Sequence, residues 1–180
     1  KGDYEKAHIP GADFLDLQQE LSNNTSKLRF TFPSAEHFSK AIGAHGLSND
    51  NQAILYSTTS PQWATRIWWM LRAFGFDNAK VLDGGLIRWV QKGYPTSTIP
   101  STYPEQSFTA KPRPGLIIQK SEVLQGIHES NTCIINALSQ EQHIGVGGRT
   151  YGRPGRIKDS ENVPTTELID PETNEFYPAA

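Results

Sequence analysis

The chain has 180 residues, 36% of them hydrophobic, with four Trp and eight Phe, which is material for one domain or two small ones with a core. A formal charge of −2 gives no electrostatic case for a nucleic-acid partner, and the single cysteine, Cys133, excludes an intrachain disulfide and any CxxC metal or redox motif. No apolar run approaches the roughly 18 residues of a membrane helix, and the histidines show no ligand spacing, so no membrane, metal or cofactor is implied.

The chain opens at Lys1 in mid-pattern, and an upstream segment is expected to precede it. "AHIPGADFLDL" (7–17) is a turn punctuated by Pro10 and Gly11, leading into a short apolar run. A polar loop follows to about Lys27. "PSAEHFSKAIGAHG" (33–46) reads as a helix capped by Ser34 and stopped by Gly46, with Phe38, Ala41 and Ile42 on one face. "QAILYS" (52–57) reads as a buried strand of a parallel sheet. The spacing then predicts a helix over 61–74, with Pro61 in its first turn and Ala64, Ile67, Trp68 and Leu71 facing the core. "AKVLDGG" is a strand and turn, and "LIRWVQKGYP" a helix stopped by Gly93 and Pro95. Alternating strands and helices imply a parallel sheet flanked by helices.

Between Pro95 and Pro114, Pro, Ser and Thr dominate without periodicity, as in an extended linker. The pattern then restarts with a helix capped by Ser121, a buried strand "CIINAL" (133–138), a Gly-rich loop (139–155) and "RIKDSENVP". Shifting the chain by 148 residues lays the turn at Tyr4 near the one at Tyr151, with Ile9 on Ile157 and Phe14 on Asn162. Two related α/β units are expected, each incomplete.

Four stretches, "YEKAHIPGADFLDL", "ILYSTTSPQWATRIWWMLRAFGF", "VLDGGLIRWVQKGYP" and "YGRPGRIKDSENVP", in this order and spacing, resemble the rhodanese superfamily, specifically its tandem-domain thiosulfate and mercaptopyruvate sulfurtransferases. The resemblance implies a rhodanese-like α/β fold. It implies a first domain over 1–97, a linker over 98–114, and the N-terminal part of a second domain over 115–180. In active domains of that family a cysteine ends the strand and opens a six-residue loop whose backbone N–H groups point at its sulfur. Ser57 holds that position here, in a loop running to Gln62. A serine hydroxyl lacks the acidity and the S–S chemistry of a thiolate. The first domain is therefore expected to be non-catalytic, with the cysteine of the second domain lying beyond Ala180.

Cys133 is expected to be a small buried hydrophobe on the second domain's first strand. That strand ends Asn136-Ala137-Leu138 where family members often carry an Asp-Ala-Arg-like triplet. Gln142 stands where many place a substrate-binding arginine, and Arg149, with Arg153 and Arg156, is a nearby source of positive charge. The partners implied are a small-molecule sulfur donor and acceptor. Oligomeric state stays open, as does the compartment, cytoplasmic or periplasmic.

Other readings fail on spacing. "GVGGRTYG" would put the third glycine of a dinucleotide fingerprint at Thr150. No G-x-S-x-G surrounds Ser57, and a Cys-x5-Arg phosphatase loop would need residues other than Ser57 and Trp63. Trp68, Trp69 and Trp89 are expected in the core. Two classes remain: a sulfurtransferase, or a rhodanese-like pair that has lost catalysis and serves in binding or regulation.

Overall fold

The computed structural model describes residues 1–148 and 152–179, and the chain divides at Pro114 into two units, Lys1–Pro114 and Gly115–Ala180. The first unit opens with two short helices that carry too few residues for a periodic signal, α1 (Gly2–Lys6) and α2 (Leu17–Glu20). The Asp16 carboxylate starts α2 by accepting from the Gln18 and Gln19 amides. Helix α3 (Ala35–Ala44) begins where expected, with the Ser34 hydroxyl accepting from the His37 amide. Strand β1 (Ala53–Leu55) leads through the serine- and threonine-rich loop into α4 (Gln62–Ala73), with Pro61 at its N-cap. Strand β2 (Ala79–Val81) and α5 (Gly85–Gln91) follow. β1 and β2 pair in parallel, Ala53 with Ala79 and Leu55 with Val81, and α4 is the crossover between them.

The first unit buries a cluster of Leu17, Leu21, Phe38, Ile42, Met70, Leu71, Phe74, Phe76, Ala79 and Phe108. Phe38 is fully buried and stacks on Phe74 at 4.4 Å between ring centroids. Ile67 and Trp68, on the expected face of α4, pack against this cluster partly buried. The burial expected of the first strand is not complete: Ile54 is 64% exposed. Ala53 and Leu55 pack against the cluster from one face of the strand, and the alternation of side chains puts Ile54 on the opposite face, away from it.

Phe108 lies within the stretch read as a linker. Residues 98–114 form no helix or strand, yet they run as a strap across the first unit. The Gln106 amide donates to the Gly43 carbonyl, Ala110 to the Ser39 hydroxyl, and Lys111 and Arg113 to the carbonyls of Phe74 and Ala73 at the end of α4. A methyl group on Gly43 would collide with the Gln106 carbonyl, so a glycine inside α3 is what lets the strap approach. At its end Arg113 forms a forked pair with Asp77.

In the second unit, α6 (Lys120–Gly126) is capped by Gln119, not Ser121: the Gln119 amide donates to Glu122 at 2.7 Å. Strand β3 (Ile135–Asn136) pairs in parallel with β4 (Glu161–Asn162), and a four-residue 3-10 helix spans Thr165–Leu168. The Gly-rich stretch read as loop contains α7 (Gln140–Ile144), started by the Ser139 hydroxyl and ended by Gly145 in the left-handed region. The 148-residue shift lays β4 on Asp13 and Phe14, which are irregular in the first unit. Tyr151, the start of the second turn, lies outside the described residues.

Cys133 corrects the expectation of a buried thiol. It precedes β3 and is exposed, and Ile135 inside β3 is 60% exposed. The cause is the same on both: β3 has one neighbour, and every buried large hydrophobic among the described residues belongs to the first unit. Apolar composition predicts a strand, but it does not supply the second layer that would cover one. Among the described residues no helix is long and apolar enough to cross a membrane.

Candidate active-site loop

The loop after β1 is fixed at both ends by backbone geometry. Leu82 donates to the Leu55 carbonyl at 2.8 Å and extends the β1–β2 ladder to the end of the strand. The Tyr56 hydroxyl then accepts from the Ile9 amide at 3.1 Å, tying the strand end to the turn at Pro10. The Ser57 carbonyl accepts from the Leu86 amide at 3.1 Å, which joins the loop to the first turn of α5. That contact needs glycine: Gly84 and Gly85 both have positive φ, and a Cβ on Gly85 would lie 2.6 Å from the Ser57 carbonyl oxygen.

Inside the loop, the Ser57 hydroxyl donates to the Ser60 carbonyl at 2.6 Å. Thr65 donates to the Pro61 carbonyl and begins α4, whose positive dipole end lies at this loop. The sequence suggested a ring of amide donors around this position; the partner that the hydroxyl meets is an acceptor. An acceptor 2.6 Å from a side-chain oxygen favours a group that carries a hydrogen, and it would oppose an anion at the same place. Replacing Ser57 by Cys is therefore expected to give a thiol that titrates at or above the ordinary value near 8.5 and takes up no sulfur from thiosulfate. Alkylation rates across pH read this directly, and a thiol ionising well below that value would show that the loop turns its amides inward.

Beside the loop, Trp63 tilts against Phe30 at 5.4 Å, and Arg66 donates to the Phe30 carbonyl while burial lowers its pKa. Phe30 holds φ 57°, a left-handed conformation unusual for an aromatic residue. No sequence signal marks this cluster, because residues 29–30 and 63–66 meet only through the fold. Trp68 and Trp69 are half-buried as an adjacent pair, while Trp89 lies tilted against Tyr94 and donates to the Pro95 carbonyl.

The residues read as substrate contacts in the second unit are only partly placed. Gln142 is half-buried on α7, its amide 3.4 Å from the Ser139 hydroxyl and its side chain packed beside Gly148. Arg149 lies outside the described residues; Arg153 and Arg156 are exposed. In the triplet at the end of β3, the Asn136 carboxamide accepts from the Leu138 amide, and Asn162 donates to the carbonyls of Asn136 and Leu138. Asn136 thus serves the turn itself. Two open clefts, of about 480 and 400 Å³, lie along the strap and not at the Ser57 loop. No group of three or more metal-ligating side chains forms among the described residues.

Comparison with known proteins gives this geometry its context. The model of the rhodanese-like domain matches residues 1–92. The thiosulfate sulfurtransferase of Rattus norvegicus is 30% identical over 176 residues, covering 93% of this chain and 58% of its own length. The 3-mercaptopyruvate sulfurtransferase of Escherichia coli strain K12 is 34% identical over 175 residues, with 93% and 60% covered. Among solved structures, SseA from Escherichia coli superposes with a TM-score of 0.83 at 32% identity, over 99% of this chain and 65% of that one. The chain spans about three-fifths of the length of the curated relatives it matches.

Proposed function

Because the chain belongs to the rhodanese family, we propose that it is part of a tandem sulfurtransferase whose first domain, residues 1–97, is non-catalytic. Residues 98–114 strap onto that domain and continue into the N-terminal part of a second domain, 115–180, and the catalytic cysteine belongs to a part of that domain outside this chain. The observation that carries this reading is the extent of the similarity: curated sulfurtransferases match over 93% of the chain, across both units.

The chemistry follows from what a sulfane sulfur requires. A thiolate attacks the outer sulfur of thiosulfate or a similar donor, the S–S bond breaks, and sulfite leaves with the electron pair. The resulting persulfide gives its outer sulfur to a thiophilic acceptor, and the thiolate returns. Ser57 cannot carry this cycle, since its hydroxyl is not acidic and is committed to the Ser60 carbonyl. Cys133 is exposed and precedes β3, away from any strand-to-helix loop of the kind that activates a thiol.

One assay tests the proposal. Incubated with thiosulfate and cyanide, the 180-residue chain should form no thiocyanate and gain no mass. The longer protein should turn over with ping-pong kinetics and gain about 32 Da, one sulfur, on a single cysteine. Persulfide on Cys133 would overturn the assignment of the catalytic cysteine. A longer protein that gains no sulfur would favour the second reading, a catalytically inactive binding or regulatory module.

A further inference from the structure

We propose that His45 is a pH-operated clasp: as an imidazolium it joins Asp13 to Glu20 and holds the segment between them on the C-terminal end of α3, and its deprotonation releases that segment. This inference stands on the first unit alone and does not depend on the sulfur chemistry above.

Both nitrogens of the ring face carboxylates. Nδ1 lies 2.7 Å from Asp13 Oδ2 and Nε2 lies 2.7 Å from Glu20 Oε2. A carboxylate only accepts, so both contacts are hydrogen bonds only when both ring nitrogens carry hydrogen. The neutral ring has one N–H, and its bare nitrogen would then face a negative oxygen. The three side chains are largely screened from water, with exposures of 21% for His45, 25% for Asp13 and 36% for Glu20. His45 also caps α3, its amide donating to the Ile42 carbonyl at 3.2 Å, and the negative end of that helix favours a positive ring. The charged groups facing the ring are Asp13 from the turn and Glu20 from α2. Asp16, between them, keeps its carboxylate on the α2 amides, while Glu20 Oε1 accepts from the Asp16 amide at 2.7 Å.

Burial pulls the His45 pKa down, but hydrogen bonds to Asp13 and Glu20, with the charges of both, outweigh it and leave the value raised. The sign is then fixed. In the unfolded chain the ring titrates near the ordinary 6.5, so the stabilisation is complete below that pH while the carboxylates stay ionised, and is lost as pH climbs through the higher folded value. Upstream of that segment, the Ile9 amide is hydrogen-bonded to the Tyr56 hydroxyl next to Ser57.

The test is nitrogen NMR of the histidine rings across pH 5–9 together with amide hydrogen exchange, corrected for intrinsic rates. The His45 signals are assigned with His45→Gln. The expected result is a His45 ring whose titration midpoint lies above that of a histidine in an unfolded peptide. Exchange protection over residues 13–20 should fall several-fold with the same midpoint as the ring, and Glu20→Gln should move that midpoint down. A ring that is already neutral at pH 6.5, or protection that ignores its titration, would overturn the proposal. Should His45→Gln fail to fold, the wild-type titration with Glu20→Gln decides the matter alone.

Discussion

Replacing Gly85 by Ala should cost the first unit about 3 kcal/mol. Two effects add. Gly85 has φ +53°, a left-handed conformation that costs a residue with a Cβ about 1–2 kcal/mol. The new methyl would also sit 2.6 Å from the Ser57 carbonyl oxygen, which is backbone held by the Leu86 amide and cannot swing aside as a side chain would. Relief requires α5 to back away from the loop, breaking that bond. Gly93→Ala is the matching control: its φ is +74° and its Cβ would meet nothing within 4 Å, so it carries the conformational cost without the contact. All four tryptophans lie between Trp63 and Trp89, so urea unfolding followed by their fluorescence reports the first unit selectively. A Gly85→Ala midpoint no lower than that of Gly93→Ala would mean that the Ser57 carbonyl is not held against α5.

The elements that were legible in the sequence are those where local chemistry and periodicity agree. Ser34 and Gly46 bracket α3, Pro61 and the spacing of Ala64, Ile67, Trp68 and Leu71 define α4, and "AKVLDGG" gives β2 and its turn. The family was legible too, because its segments are long and ordered. What the sequence hid depends on neighbours. Residues 13, 20 and 45 share no spacing that marks a cluster, yet the fold brings their side chains to hydrogen-bond distance. Apolar runs at Ile54 and Ile135 specify strands but not what covers them. The short helices α2 and α7 rest on single caps, Asp16 and Ser139, with too few turns for a period to show. At the Ser57 loop, length and position could be read, whereas the direction of its closing hydrogen bond could not, since a serine both donates and accepts.

Phe108 hides in the same way, with Tyr103 one of two aromatics in a stretch rich in Pro, Ser and Thr, and it carries the second large effect. Phe108→Ala should destabilise the first unit by about 3–5 kcal/mol, the range for emptying a buried phenylalanine site. The ring is 6% exposed and lies edge-on to Phe38 at 6.1 Å and tilted to Phe76 at 5.7 Å, so its loss opens a cavity at the centre of the aromatic cluster. Collapse is resisted on both sides. The flanking strap is held by Gln106 on Gly43 and by Ala110 on Ser39, and Phe38 and Phe76 are themselves packed in the core. Against a typical domain stability of about 5–15 kcal/mol this is a large share. A true linker would behave oppositely, with truncation of an exposed side chain staying within about 0.5 kcal/mol. Limited proteolysis separates the two pictures. With the strap packed, residues 98–114 should resist cleavage in the wild type despite lacking regular structure, and Phe108→Ala should open them while Tyr103→Phe, which removes only a hydroxyl bonded to the Gly11 carbonyl, should not. Rapid cleavage of the wild type in this stretch, with an unchanged urea midpoint for Phe108→Ala, would return these residues to the role of a linker.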